Sequence, residues 1–262
     1  MRERVVELAE GAATLLKGYA GKLGRADADR KSGAHRDLVS EADVSAEAYL
    51  LAHIPEEDDV LAEEGSNRDR GSRRRWILDP LDGTVNFLHG LPCWCVSVGL
   101  CEDGELIAAA VTAPALGETF SAARGEGCFA NETRVMVSQT KDLSESILAT
   151  GFAYRRNELE DHNFDNFETL GMAAAGIRRM GSAALDLALL AAGRLDGFWE
   201  LHLNPWDVAA GTLLVREAGG KVSDFDGDES LAAVLHHRHI VASNTHLHLP
   251  LRTTLHPRRK LP

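Results

Sequence analysis

The segment Asp79-Pro80-Leu81-Asp82-Gly83-Thr84 sets two carboxylates three residues apart, just past the apolar run Trp76-Ile77-Leu78. Pro80 has no N–H to give a β-ladder and its φ is fixed, so the chain must turn between the two aspartates. Such a turn can aim both carboxylates, and the carbonyl between them, at one point. An oxygen-only cluster suits a hard cation, most naturally Mg²⁺. Gly83-Thr84 opens a short helical stretch over 85–88, and backbone N–H groups at a helix start beside a glycine offer a phosphate site. The plain alternative is a capped turn with two solvated aspartates.

Three further segments carry acidic groups in suggestive places. In Trp206-Asp207-Val208-Ala209-Ala210-Gly211 the carboxylate falls in the first turn of a helix, where the positive dipole end favours it. Capping alone accounts for that, but the small residues after Asp207 also leave room for a ligand to approach. Leu61-Ala62-Glu63-Glu64-Gly65 puts two glutamates at a strand end. In Asp37-Leu38-Val39-Ser40-Glu41-Ala42-Asp43, Asp43 opens a helix, and a helix N-cap is its structural reading.

The elements that must position these groups follow from periodicity. Residues 3–17 read as an amphipathic helix with Val5, Leu8, Ala12, Leu15 and Leu16 on one face, and a second helix runs over 43–53. Residues 93–101 and 105–111 are apolar runs joined by Asp103-Gly104, a hairpin signal. Strands over 118–122 and 134–138, with a turn at 125–127, extend an antiparallel meander. Beyond Lys141 strands over 147–150, 177–179 and 196–200 alternate with helices over 161–174 and 183–192. Ser182 is expected to N-cap the latter. Asn204 caps the next helix with Pro205 at its first position, and Gly219-Gly220 ends it. The halves meet near residue 142, giving two units, 1–142 and 143–262, with antiparallel sheet in the first and a mixed α/β arrangement in the second.

The whole chain has 262 residues, 44% hydrophobic and 26% charged, the balance of a globular protein. Its net charge of −12 argues against nucleic acid as the default ligand. No apolar run approaches a membrane span and the N-terminus lacks a signal-peptide core, so a cytoplasmic protein is expected. Cys93, Cys95, Cys101 and Cys128 have no zinc-site spacing and read as buried strand cysteines. The histidines, seven of them from His202 onward, match no metal motif and read as surface and packing residues. The five arginines between Arg68 and Arg75, with one aspartate, read as an exposed loop of local charge about +4.

Taken together, the segments 76–87 (Trp-Ile-Leu-Asp-Pro-Leu-Asp-Gly-Thr-Val-Asn-Phe) and 206–211 resemble the two signatures of the inositol monophosphatase family of Li⁺-sensitive, Mg²⁺-dependent sugar phosphatases. The resemblance runs roughly from Asp37 to Gly220. It implies a layered αβαβα sandwich and a homodimer. It implies that Glu63, Asp79 and the Leu81 carbonyl bind one Mg²⁺, that Asp79, Asp82 and Asp207 bind a second, and that Glu63 reaches a third through water. Asp43, Thr84 and Glu63 are the catalytic residues it implies, Asp43 and Thr84 activating the attacking water. The substrate side comprises Leu81, Asp82, Gly83, Thr84, Gly181, Ser182, Ala183, Glu200 and Asp207. Lys31 is a further candidate beside the third ion. Val85-Asn86-Phe87 and Phe198-Trp199-Glu200 resemble the inositol branch. Fructose 1,6-bisphosphate, histidinol phosphate and 3′-phosphoadenosine 5′-phosphate are the alternative substrates, and an RNA-machinery binding role is a reading of another class.

Overall fold

The computed structural model describes residues 1–30, 38–237 and 239–255. The candidate Lys31 lies outside the described residues. Helix α1 (Arg2–Tyr19) buries Val5, Leu8, Ala9, Ala12 and Leu16 along one stripe, as its 3.6-residue period requires, while Leu15 stays half-buried. A short ribbon, β1 (Asp29–Arg30) and β2 (Leu38–Val39), leads into α2 (Glu41–Ala52). The cap of α2 is Ser40, so Asp43 is not the N-cap: it is the third helical residue, its carboxylate reaching back to the Ser40 N–H in a capping box.

A seven-stranded sheet follows, in the order β3 (Asp59–Ala62), β4 (Arg74–Asp82), β5 (Cys95–Glu102), β6 (Glu105–Ala113), β7 (Glu118–Ala123), β8 (Gly127–Ala130) and β9 (Thr133–Val135). Helix α3 (Thr84–Leu88) interrupts it after β4. Strands β3 and β4 are parallel and every later pair is antiparallel. The β5–β6 hairpin turns on Asp103 and Gly104, both with positive φ. Strand β8 was not expected from sequence: its four residues carry too little alternation to stand out between Gly127 and the left-handed Asn131. The last strand is correspondingly shorter than 134–138.

A five-stranded sheet occupies the rest: β10 (Ile147–Thr150), β11 (Gly176–Arg178), β12 (Gly197–Leu201), β13 (Lys221–Ser223) and β14 (His239–Ser243), in the order β11-β10-β12-β14-β13. Its first three neighbours are parallel and the others antiparallel. Helices α4 (Phe164–Ala173), α5 (Ala183–Ala191), α6 (Pro205–Glu217), α7 (Leu231–His236) and α8 (His248–Thr254) complete the fold. Helix α4 begins later than the sequence suggests because Asn163, just before it, is left-handed.

Three apolar clusters define five layers. Val96, Val98 and Leu100 of β5 face Leu8 of α1 and Leu50 of α2. The opposite face of the same sheet, with Val111 and Phe120, meets Leu187 of α5, Leu214 of α6 and Phe198 of β12. Behind the second sheet, Trp199 and Leu148 pack with Leu170 of α4 and Leu251 of α8. The result is an αβαβα sandwich. Side chains on a strand alternate faces, so Glu200, between Trp199 and Leu201, shares the inner face of β12 with Phe198.

Candidate active site

The ends of β3, β4, β10 and β12 and the starts of α3, α5 and α6 enclose one cavity of about 490 Å³. Asp79, Leu81 and Asp82 line it from the end of β4. The pairing of β4 with β5 breaks between Asp79 and Asp82, where Pro80 cannot donate, and the break re-aims the chain. Asp79 Oδ1 accepts the Leu81 N–H at 3.0 Å, which locks the turn. Gly83 follows at φ 94°, and a Cβ there would stand 2.7 Å from the Cys93 carbonyl oxygen, so glycine is required twice over.

Asp43 does not line the cavity but acts one step behind it. Thr84 Oγ1 lies 2.9 Å from Asp43 Oδ1 and 3.1 Å from the Leu81 oxygen, so its proton goes to acceptors and its lone pairs remain for another donor. Asp43 Oδ2 accepts from the Ser40 N–H at 2.8 Å and the Ser40 hydroxyl at 2.7 Å. Glu63 projects from the turn after β3, and that turn is held by buried Glu47, which accepts the N–H groups of Glu64 and Ser66.

The second half supplies the facing wall. Ser182 sits at the N-cap position of α5 but its hydroxyl does not cap the helix; it donates to Asp82 Oδ2 at 2.7 Å, and the Ala184 N–H donates to the same oxygen at 2.8 Å. Asp82 therefore takes the place of the expected cap. Asp207 Oδ2 accepts the Asn204 N–H at 2.6 Å at the start of α6. Gly181, Ser182, Ala183 and Glu200 line the cavity with Glu63, Asp79, Leu81, Asp82, Gly83, Thr84 and Asp207.

The cavity is short of positive charge. Burial, then the neighbouring charges of Glu63, Asp82 and Asp207, hold the Asp79 carboxyl well above the usual range. Burial also raises Asp207, with Glu63 and Asp82 adding to it. Asp82 is pushed up to about 6 by burial, against the pull of its hydrogen bonds from Ser182 and Ala184. Glu200 reaches about 8, burial outweighing the Arg179 guanidinium. Among the described residues no three Asp, Glu, His or Cys side chains are yet gathered as tightly as a bound ion would hold them. The donor set nonetheless fits a hard divalent cation: it is all oxygen, and its mutual repulsion is what such a charge relieves.

Several residues near the site have roles that the sequence does not reveal. Asn86 donates to the carbonyls of Cys93 at 2.6 Å and Met180 at 2.8 Å, tying α3 to the turn before α5. Arg179, Arg155, Phe152 and His202 also line the cavity. Asp186 is buried in α5 with Oδ1 lacking a hydrogen bond, and an aspartate within Ala-Ala-Leu-Asp-Leu-Ala-Leu-Leu was a visible irregularity. The cysteines are free; Cys93 is only half-buried and precedes its strand. His248 is buried between Ser223 and Ser243. The arginine segment is not a free basic loop. Arg74 and Arg75 belong to β4, Arg73, Arg74 and Arg75 pair with Asp103, Glu102 and Asp59, and Arg68 donates to the carbonyls of Asp58 and Pro55.

A model of the inositol monophosphatase family matches residues 1–258. The Nus factor SuhB of Pseudomonas aeruginosa is 43% identical over 230 residues, spanning 85% of this chain and 84% of that protein. The inositol-1-monophosphatase of Synechocystis is 44% identical over 207 residues, spanning 78% of this chain and 72% of the relative. The solved inositol monophosphatase of Anabaena (Nostoc) superposes with a TM-score of 0.84 at 38% identity, covering 96% of this chain and 93% of the other.

Proposed function

This chain belongs to the inositol monophosphatase family, and from that premise we propose that it hydrolyses inositol monophosphate to inositol and inorganic phosphate with the help of Mg²⁺. The observation that carries this reading is the meeting, in one cavity, of four acidic side chains with a glycine-led helix start. Residues 1–142 contribute most of the oxygen ligands, and residues 143–262 contribute Asp207 and the substrate wall.

In this reading Glu63, Asp79 and the Leu81 carbonyl hold one ion, Asp79, Asp82 and Asp207 hold another, and Glu63 approaches a third. Divalent ions bound there supply the positive charge that eases attack by water and departure of the alkoxide. The protein's own groups do the positioning. Thr84 Oγ1, donating to Asp43, presents lone pairs to a water; as that water attacks, its proton passes to Thr84 Oγ1 and the threonine proton passes to Asp43 Oδ1. Ser40 fixes Asp43 for this task with two hydrogen bonds. The N–H groups of Gly83 and Thr84 hold phosphate oxygens. Ser182 and the Ala184 N–H keep Asp82 turned to the cavity while Gly181, Ser182 and Ala183 meet ring hydroxyls. Glu200, its carboxyl pushed up to about 8 by burial, accepts a hydrogen bond from a ring hydroxyl in this reading.

We further infer inhibition by millimolar Li⁺, a homodimer and a cytoplasmic setting; no helix among the described residues is long and apolar enough to cross a membrane. The deciding experiment is phosphate release with Mg²⁺ from inositol 1-phosphate, fructose 1,6-bisphosphate, histidinol phosphate and 3′-phosphoadenosine 5′-phosphate. Preference for the first supports the reading, and preference for any other replaces the substrate. A binding role in the RNA machinery is the second reading, favoured by relatives named Nus factor SuhB. The arginine segment is a weak anchor for it, since acidic side chains and carbonyls already engage Arg68, Arg73, Arg74 and Arg75.

A further inference from the structure

Residues 152–162 contain no helix or strand, yet Phe152, Ala153, Tyr154, Arg155, Glu158 and Leu159 form one wall of the cavity. A segment of this kind needs something to fix its ends. One end is Gly151, just past β10, and the other is Asn163, just before α4.

Asn163 joins these ends to the strand that carries Glu200. Its Nδ2 donates to the Thr150 hydroxyl at 3.0 Å and to the Gly151 carbonyl at 2.8 Å. Its Oδ1 accepts the Trp199 indole N–H at 2.8 Å and the Asn166 amide at 3.3 Å. Both donors and both acceptor positions of one amide are thus used, at a residue only 4% exposed. Thr150 closes the circuit by donating to the Trp199 carbonyl at 2.6 Å. The backbone of Asn163 sits at φ 70°, a left-handed conformation that asparagine tolerates better than most residues.

What the circuit controls lies on the other face of β12. Trp199 points into the outer core while its neighbour Glu200 faces the cavity. Gly151 stands so close that a Cβ there would fall 2.1 Å from Glu200 Oε1. The backbone at 151 therefore abuts the Glu200 carboxyl, and any movement of Gly151 alters the space beside it. A second tie, His202 Nε2 to the Asp161 oxygen at 3.0 Å, joins the far end of the wall to the extension of β12.

We propose that Asn163 is a positioning residue for substrate discrimination: its amide pins the 152–162 wall against the end of β12 and so sets the width of the cavity where the polyol ring meets Glu200. The inference rests on the phosphomonoesterase reading and adds a determinant of its specificity. Asn163 touches no reacting atom; it acts through Gly151 and Trp199.

The test compares wild type with Asn163→Asp, which keeps the shape but replaces a donor by an acceptor, and Asn163→Gly, which keeps the left-handed backbone and removes the amide. Each is assayed with Mg²⁺ on inositol 1-phosphate and on 4-nitrophenyl phosphate, whose leaving group makes no use of Glu200. Both variants should raise KM for inositol 1-phosphate about tenfold while kcat/KM for 4-nitrophenyl phosphate stays within about twofold. Hydrogen exchange over 152–162 should quicken in the variants while α6 is unchanged. Equal losses on the two esters, or unaltered exchange over 152–162, overturn the proposal. A wild type that hydrolyses neither ester instead overturns the phosphatase reading, and with it the discrimination assigned to Asn163.

Discussion

Asp79 is the residue on which the site turns, because its carboxylate is set among the three other carboxylates proposed as ligands. Its Coulombic neighbours are Glu63, Asp82 and Asp207, and burial removes the water that would screen them. An amide at Asp79 or Asp207 keeps the size and most hydrogen bonds but gives up the charge a cation needs. Asp79→Asn and Asp207→Asn should each lower Mg²⁺-dependent phosphate release by about 10²–10³-fold, with the circular dichroism spectrum unchanged. Near-wild-type turnover by Asp79→Asn would refute the ligand assignment. Glu200 makes a different prediction. Its folded-state pKa is raised from 4.5 to about 8, so between those values the unfolded chain has lost a proton that the folded protein retains. The stability this carboxyl contributes is complete below pH 4.5 and falls as pH rises through about 8. In metal-free buffer, Glu200→Gln should match wild type near pH 4 and become more stable than it by a few kcal/mol at pH 8.5. Urea unfolding at the two pH values measures this, and a constant difference would show that Glu200 is not held neutral.

At the level of elements, the join between β4 and α3 decides whether the ligands converge. Gly83 passes under the Cys93 carbonyl in a left-handed conformation, and α3 is seated by the edge-on packing of Phe87 against Trp94, with centroids 4.9 Å apart. Gly83→Ala brings both a backbone penalty and a steric one. It should destabilise by about 1–3 kcal/mol and reduce kcat more than that loss of folded protein explains. Thermal melts beside steady-state kinetics separate the two effects. This join was legible in sequence because its turn chemistry is contiguous: proline, glycine and both aspartates fall within six residues. Asp207 was legible for the same reason. Residues whose roles depend on distant partners were not. Asn86 reaches a carbonyl 94 residues further on, and its place in Val85-Asn86-Phe87 gives no sign of that reach. Ser40 looks like an ordinary helix cap and Glu47 like an ordinary mid-helix glutamate until Asp43 and the Glu63 turn are seen resting on them. Ser182 misled because an N-cap position and a cavity position coincide, and only the fold brings Asp82 to it. Likewise the arginine segment seemed unopposed because its partners Glu102 and Asp103 lie at the end of β5 and in the hairpin turn that follows it.

For the whole molecule, the net charge of −12 is a paradox only if the substrate must meet the bare protein. Glu63, Asp79, Asp82 and Asp207 line one cavity, the region where a phosphate is proposed to bind. Their repulsion weakens the metal-free fold, and cations bound there would reverse the sign of the local potential. Magnesium should therefore act as a stability ligand as well as a cofactor. At a concentration 100 times the dissociation constant it adds about 2.7 kcal/mol, roughly 5–10 °C in Tm for a chain of this size. Asp79→Asn should abolish that rise. It should also melt higher than wild type in chelator at pH 7, because the unfolded aspartate ionises freely while the folded one, with its raised pKa, resists ionisation. That advantage should shrink as the pH falls through the usual carboxylate range, where the unfolded chain takes up the same proton. Differential scanning calorimetry across pH, with and without Mg²⁺, measures both effects. A wild type whose Tm ignores Mg²⁺, or an Asp79→Asn variant less stable than wild type without it, would mean that the carboxylates are held for the fold rather than against it.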